Sequence, residues 1–234
     1  TDHISDLLLC PTHKAMEQLA RESLGDRSVF TGDVMLDIAL DMAERARQQS
    51  DVGRFLTGVS IEKPECFTTL SDSAASIEGY ALATVHRASN TDDPARLAAI
   101  LEALGALPMP VVLPLHPRTR SAMERARLEA GGNLHLVEPV GYLDFMALIN
   151  GCAHVLTDSG GVQKEALFAG RPCTTIRAET EWVETLEGGW NVLVDADGIQ
   201  GAATRPMPST PAPISAFGDG KAGAAVVAAI SSLL

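Results

Sequence analysis

The chain has 234 residues, 46% of them hydrophobic, enough apolar material for one large core or two small ones. With 30 acidic and 18 basic residues the formal charge is −12, which argues against a general electrostatic grip on nucleic acid or an anionic membrane surface; an anionic ligand needs a local site. No apolar run reaches the ~18 residues of a spanning helix, and the start TDHISDLLLC lacks the basic flank of a signal peptide, so the reading is of a cytoplasmic protein without membrane contact.

In chain order, short β-branched or leucine-rich runs alternate with amphipathic helical patterns. A strand is predicted at DLLLC, a helix at KAMEQLARESL, a strand at SVFTG and a helix at VMLDIALDMAERARQQ. Residues 57–79 are polar and irregular and read as a linker. Strands then follow at YALATV, PVVLPL, LHLVE, HVLTD, PCTTI and NVLVD. The helices among them are DPARLAAILEALGAL, RTRSAMERARLEAG, YLDFMALINGC and GVQKEALFAG. Asp92 and Asp93 before Pro94 mark a helix start, and Gly170 before Pro172 marks a helix stop. Residues 198–215, with the Pro-rich RPMPSTPAPIS, read as a surface loop before a last helix at GKAGAAVVAAISSLL.

Six βα-ordered strands are enough for a complete doubly wound α/β domain with a parallel sheet, placed at 80–234. Residues 1–56 hold two strands and two helices, too few for a sheet covered on both faces, and look like the end of a larger Rossmann-like domain. Cys10, Cys66, Cys152 and Cys173 are scattered, without a C-x-x-C pair, so reduced thiols are expected and zinc and disulfides are not. No H-E-x-x-H or similar pattern predicts a metal, and no cofactor is expected.

Ligands of open α/β sheets bind beyond the carboxyl ends of the strands. There this chain places His86 and Arg87, then His116 and Arg118, then Asp158, Ser159, Gly160 and Gly161, and Arg177. The two glycines let the backbone approach a ligand, and the helix that follows offers unpaired N–H groups and a positive dipole end. Asp-Ser-Gly-Gly equally suits an ordinary strand-to-helix turn, with Ser159 as its cap. Arg118 and Arg177 have the geometry to grip phosphate oxygens, or to sit as solvated cations. Glu165 is placed either to accept hydrogen bonds from vicinal hydroxyls or to compensate a helix dipole. His86 and His116, each close to an arginine, suit proton transfer or hydrogen bonding to an anion; His3, His13, His135 and His154 read as structural.

Taken together these residues resemble the UDP-N-acetylglucosamine 2-epimerase family. The matching stretches run in order along nearly the whole chain: TDHISDLLLCPT, VFTGDVMLDIAL, TVHRASN, LPLHPRTR, VEPVGYLDFMALI, TDSGGVQKEA, RAETEWVETLEGGWNVLV and FGDGKA. The resemblance implies two Rossmann-like domains of the glycosyltransferase-B type with the nucleotide sugar between them, and a homodimer. It implies UDP-GlcNAc and UDP as ligands and inversion at C2 to UDP-ManNAc by elimination and re-addition of UDP, in cell-envelope polysaccharide biosynthesis. It further implies that His86 is the active-site histidine with Arg87 beside it. His116, Arg118, Ser159, Gly160 and Gly161 become contacts to the diphosphate, Glu165 the ribose ligand, Phe145 a neighbour of the uracil and Arg177 another substrate-site arginine.

Two departures accompany the match. The family pattern His-Arg-x-Glu-Asn reads His86, Arg87, Ala88, Ser89, Asn90 here, so position 89 lacks a carboxylate. Family members also carry a further N-terminal stretch with the acidic residues assigned to acid and base roles, so the expectation is a chain that supplies the UDP-binding half, its complement coming from a partner or from upstream residues. The alternatives are an inert nucleotide-sugar-binding module, a hydrolysing epimerase that releases ManNAc and UDP, and a glycosyltransferase of the same architecture.

Overall fold

A computed structural model describes residues 1–49 and 79–233 of the chain. The expected linker at 57–79 lies outside them except for Gly79, as does Cys66. The described residues divide into two units, Thr1–Met42 with Pro213–Leu234, and Ala43–Ala212.

In the first unit, strand β1 (Leu8–Cys10) pairs in parallel with β2 (Ser28–Phe30), and helix α1 (His13–Arg21) makes the crossover. Thr12 starts α1 by accepting the Ala15 N–H at 3.1 Å. After β2 the chain turns through Gly32 at φ +78°, where a Cβ would stand 3.0 Å from the Phe217 carbonyl oxygen, so glycine is required. Asp33 then caps α2 (Val34–Gln49) by accepting the Met35 N–H at 2.9 Å.

The C-terminal helix, Ala222–Ser231, belongs to this unit and not to the 80–234 domain in which the sequence reading put it. The Asp37 carboxylate accepts the N–H groups of Ala222 at 3.0 Å and Gly223 at 2.8 Å, satisfying two donors that every helix start leaves open. Phe217 accepts the Asp33 N–H at 2.8 Å. Partners 185 residues apart leave no trace in local periodicity, which is why the boundary was misplaced.

The second unit contains all six strands expected after Tyr80: β3 (Ala81–Thr84), β4 (Val111–Pro114), β5 (Leu134–Val137), β6 (His154–Thr157), β7 (Cys173–Ile176) and β8 (Asn191–Val194). They form one parallel sheet in the order β5-β4-β3-β6-β7-β8, the doubly wound arrangement. Strands covered on both faces must be apolar throughout, and Ala81, Leu82 and Ala83 of β3 are fully buried. The larger helices are α4 (Pro94–Gly105), α5 (Pro117–Ala126), α6 (Tyr142–Gly151) and α7 (Gly160–Phe168), with one-turn α3 (Ala88–Thr91) before them and short α8 (Ile199–Ala203) after. Asp93 caps α4 through the Ala95 N–H at 2.9 Å, and Gly170 stops α7 at φ +65°, both as the sequence predicts.

Leu97, Ile100 and Leu104 of α4 pack against Val111 and Leu113 of β4, and each such side chain contributes about 1.5–3 kcal/mol by leaving water. Helix α5 is shorter than expected: Arg127 adopts φ 53° and the Leu128 N–H returns to the Met123 carbonyl at 2.9 Å, ending the helix before Gly131. Helices α3 and α8 are too short to show a period and were not expected. No helix among the described residues is long and apolar enough to cross a membrane.

Arg205, from the segment read as a surface loop, ties the amino ends of β6, β7 and β8. It donates to the carbonyls of Cys173 at 2.8 Å and Trp190 at 3.1 Å and approaches His154 Nε2 at 3.3 Å. His154 also meets the Thr174 hydroxyl at 2.8 Å. Cys10, Cys152 and Cys173 are buried free thiols.

Two outcomes follow from this packing. A methyl group on Gly105 would run into the Gly131 carbonyl oxygen, so Gly105→Ala should destabilise the protein by about 1–3 kcal/mol, read as a lower urea midpoint. Burial, and then Arg205, hold the His154 pKa down at about 3. The unfolded chain takes up this proton near its ordinary 6.5 and the folded one does not, so His154 favours the folded state fully above 6.5 and loses that contribution as pH falls toward 3. Urea midpoints between pH 7 and pH 4 should decline with up to about 1.4 kcal/mol per pH unit from this group, and His154→Gln should flatten the decline.

Candidate functional site

Strands β3 and β6 are neighbours, with Ala81 beside His154 and Thr84 beside Thr157, yet the connections that follow them lead to opposite halves of the sheet. Their carboxyl ends part at this switch point and leave a crevice. The hydroxyls of Thr84 and Thr157 meet across it at 2.6 Å, and the Asp158 N–H reaches the Thr84 carbonyl at 3.2 Å.

Asp158 is fully buried at the root of the crevice. Its carboxylate accepts the His86 N–H at 2.9 and 3.1 Å, the Arg87 N–H at 2.8 Å and the Asn90 side-chain amide at 3.0 Å. His86 Nδ1 lies 3.3 Å from Asp158 Oδ1. Asn90, also fully buried, donates to the Ile176 carbonyl at 3.1 Å and accepts Arg96 Nε–H at 2.8 Å. The segment after β3 is therefore pinned from below, with the His86 side chain one third exposed above. Ser89 is exposed, so the missing carboxylate at this position leaves no buried group unpaired, and the fixed neighbours of His86 are Asp158 and Asn90.

Helix α7 begins beside this point. Its cap, Ser159, makes no side-chain capping bond, and its N–H donates to the Thr157 hydroxyl at 2.9 Å. A Cβ on Gly160 would lie 2.7 Å from Glu181 Oε1 and 3.2 Å from Trp182 Nε1, so glycine is what lets these side chains sit over the helix start. Thr180 anchors their loop, donating to Gln163 Oε1 at 2.7 Å and accepting the Trp182 N–H at 3.0 Å. Lys164 lies 3.7 Å above the Trp182 ring and holds it by cation–π attraction.

Two arginines converge on Glu181. Arg177 Nη1 stands 2.8 Å from Oε2, an ion pair without hydrogen-bond alignment, and Arg87 Nη2 stands 3.5 Å from Oε1. Burial opposes ionisation of Glu181, but its own backbone N–H, Arg177 and Arg87 outweigh burial and hold the carboxyl below its usual range. A carboxylate thus sits where a helix start and two guanidinium groups meet, the environment that selects anions.

The other expected residues distribute around this centre. His116 caps α5 by accepting the Arg118 N–H at 3.1 Å, and its ring lies 5.1 Å from that of His86. Arg118 is committed to Thr91 at 3.0 Å and Asp92 at 2.9 Å, and Thr91 donates to the Arg87 carbonyl at 3.0 Å. Gly161 lies in the first turn of α7. Glu165, farther along α7, is buried, and desolvation pushes its carboxyl above the usual range against the lowering effect of Tyr142 and Lys164. Phe145 is half-buried on α6, the helix that carries Tyr142.

The structure thus brings His86, Arg87, His116, Ser159, Gly160 and Arg177 to one crevice, and sets Glu165 and Phe145 on α7 and α6. Asp158 was expected at a strand end but given no role, and Asn90, Glu181 and Trp182 were not among the expected site residues, although all four lie within the stretches that carry the resemblance. Among the described residues no group of three or more His, Cys, Asp or Glu is arranged to hold a metal ion.

The family model described as UDP-N-acetylglucosamine 2-epimerase matches residues 1–231. The chain is 46% identical over 202 residues to the UDP-2,3-diacetamido-2,3-dideoxy-D-glucuronate 2-epimerase of Pseudomonas aeruginosa, covering 84% of this chain and 50% of that protein. It is 34% identical over 203 residues to the UDP-N-acetylglucosamine 2-epimerase of Methanocaldococcus jannaschii, covering 83% of this chain and 51% of that protein. Among solved structures, the M. jannaschii UDP-GlcNAc 2-epimerase in complex with UDP-GlcNAc and UDP superposes with a TM-score of 0.81 at 30% identity, over 99% of this chain and 62% of that one. The Neisseria meningitidis UDP-GlcNAc 2-epimerase bound to UDP-GlcNAc gives 0.78 at 25% identity, over 99% and 63%. The chain spans about half the length of the two relatives compared by sequence.

Asn90→Leu keeps the branched shape and heavy-atom count of this buried side chain but removes a donor to Asp158 and Ile176 and the acceptor for Arg96. It should cost about 2–3 kcal/mol in chemical denaturation, as expected when a buried charge loses a hydrogen bond.

Proposed function

This chain belongs to the UDP-N-acetylglucosamine 2-epimerase family, whose model matches residues 1–231, and on that premise we propose that it binds the UDP group of a UDP-N-acetylated hexose at the β3–β6 switch point. The observation that carries the reading is the convergence of Arg87 and Arg177 on a carboxylate over the start of α7. A site that holds one anion between two guanidinium groups beside a helix start is suited to another.

In this reading Ser159, Gly160, Gly161 and Arg177 hold the diphosphate with His116 and Arg118, and the diphosphate takes the place of Glu181 against the arginines. Glu165 receives the ribose hydroxyls, and Phe145 packs beside the uracil. His86 and Arg87 face the bond between diphosphate and sugar. The reaction is inversion at C2 through elimination and re-addition of UDP. Removing a proton from so weakly acidic a carbon requires a base, and departure of UDP requires stabilised negative charge. The residues described here address the second requirement. UDP binding is accordingly assigned to this chain, and epimerisation to a protein of the relatives' full length. The P. aeruginosa relative is named for a diacetamido uronate and the M. jannaschii relative for N-acetylglucosamine, so UDP on a 2-acetamido sugar is what the two named ligands share.

Calorimetry with UDP should give saturable binding at one site per chain, and Arg177→Ala should weaken it about tenfold or more, the worth of one charge-assisted hydrogen bond. Absence of heat at millimolar UDP would sink the assigned site. For the reaction, a full-length protein incubated with UDP-GlcNAc in deuterated water should place deuterium at C2 and form the C2 epimer. UDP binding without exchange or conversion would leave a binding module and reject the epimerase.

A further inference from the structure

We propose that Asp158 is a positioning residue that fixes the proton of the His86 imidazole on Nδ1 and leaves Nε2 to exchange a proton or a hydrogen bond with the ligand. The part concerning the ligand rests on the UDP-binding reading above; the tautomer does not.

A carboxylate with no access to water needs donors on both oxygens. Asp158 Oδ2 has three: the N–H groups of His86 at 2.9 Å and Arg87 at 2.8 Å, and the Asn90 amide at 3.0 Å. Oδ1 accepts the longer arm of the shared His86 N–H at 3.1 Å, which leaves acceptor capacity unused. The nearest further group is His86 Nδ1, 3.3 Å from Oδ1, a charge–dipole contact without the alignment of a full hydrogen bond. With a lone pair on Nδ1, two electron-rich atoms face each other in a dry pocket; with a proton there, the same contact is attractive. An unconstrained neutral imidazole prefers the opposite form, with its proton on Nε2. The contact with Asp158 inverts that preference.

One carboxylate thus meets both the backbone N–H and the ring of His86, and the amide bonds of His86 and Arg87 keep that carboxylate in place beside the ring. Nε2 is the ring nitrogen not engaged with Asp158, on a side chain one third exposed, and the His116 ring stands 5.1 Å from the His86 ring. In the neutral state Nε2 accepts. When it has taken a proton, Nε2–H becomes a charged donor to a diphosphate oxygen. Asp158 itself exchanges no proton.

The test is a two-bond ¹H–¹⁵N correlation spectrum of the uniformly ¹⁵N-labelled chain at alkaline pH, where imidazoles are neutral. His86 is assigned by the signals lost in His86→Gln. The expected result is a pyrrole-like Nδ1 and a pyridine-like Nε2 for His86, and a shift toward the ordinary Nε2–H form in Asp158→Asn. An ordinary Nε2–H tautomer in the unaltered chain would overturn the proposal, as would an Nδ1–H tautomer that persists in folded Asp158→Asn. If that variant does not fold, the spectrum of the unaltered chain decides. A chain that ignores UDP in calorimetry but shows the Nδ1–H form retires the functional reading and leaves the Asp158–His86 assignment standing.

Discussion

The candidate site depends on one carboxylate withdrawn from water. Where β3 and β6 part, the N–H groups that follow β3 run out of strand partners, and a chain end left so would be expensive to bury. Asp158 supplies the missing acceptor from the neighbouring strand. It thereby sets the path of the segment from His86 to Thr91 and brings Asn90 underneath, and through Asn90 it reaches β7 at Ile176 and α4 at Arg96. Four elements are coupled through a group whose side chain is withdrawn from solvent, and together they form the floor of the crevice.

Above that floor the charges are arranged in pairs. The chain is acidic overall, yet the crevice gathers Arg87 and Arg177 beside a helix start, and Glu181 already faces both. Arg118 is likewise matched by Asp92. Cations kept in place by carboxylates are oriented before a ligand arrives, which lowers the entropy lost on binding. In the proposed UDP-binding reading the same pairing makes recognition an exchange of one anion for another, in which a diphosphate, with more charge and more acceptor atoms than a carboxylate, has the advantage over Glu181.

The eight strands of the described residues could be read from the sequence as short β-branched or leucine-rich runs, most clearly β3 and β4, which are buried nearly throughout, and the residues just beyond the strands are polar for a reason that topology supplies. On that basis His86, Arg87, His116, Ser159, Gly160 and Arg177 are expected near one another, and they lie around one crevice. Asp158 stood in the same position but looked like part of a turn, because its partners lie about 70 residues earlier. Glu181 and Trp182 follow an irregular loop whose course is set by Thr180 and Gln163, and no period marks such a contact. Arg205 sat in a Pro-rich stretch that composition assigns to the surface, although it lines the amino ends of three strands. In each case the deciding bond is long in sequence and short in space.

The attachment of the C-terminal helix has a consequence for synthesis. Asp37 finds its two donors at Ala222 and Gly223, and the Asp33 N–H finds its acceptor at Phe217. A ribosome delivers those partners only after every strand of the second unit has emerged. The β3–β6 crevice can therefore mature while the first unit still waits for its last element, and the Asp37 carboxylate spends that interval without the helix it will cap.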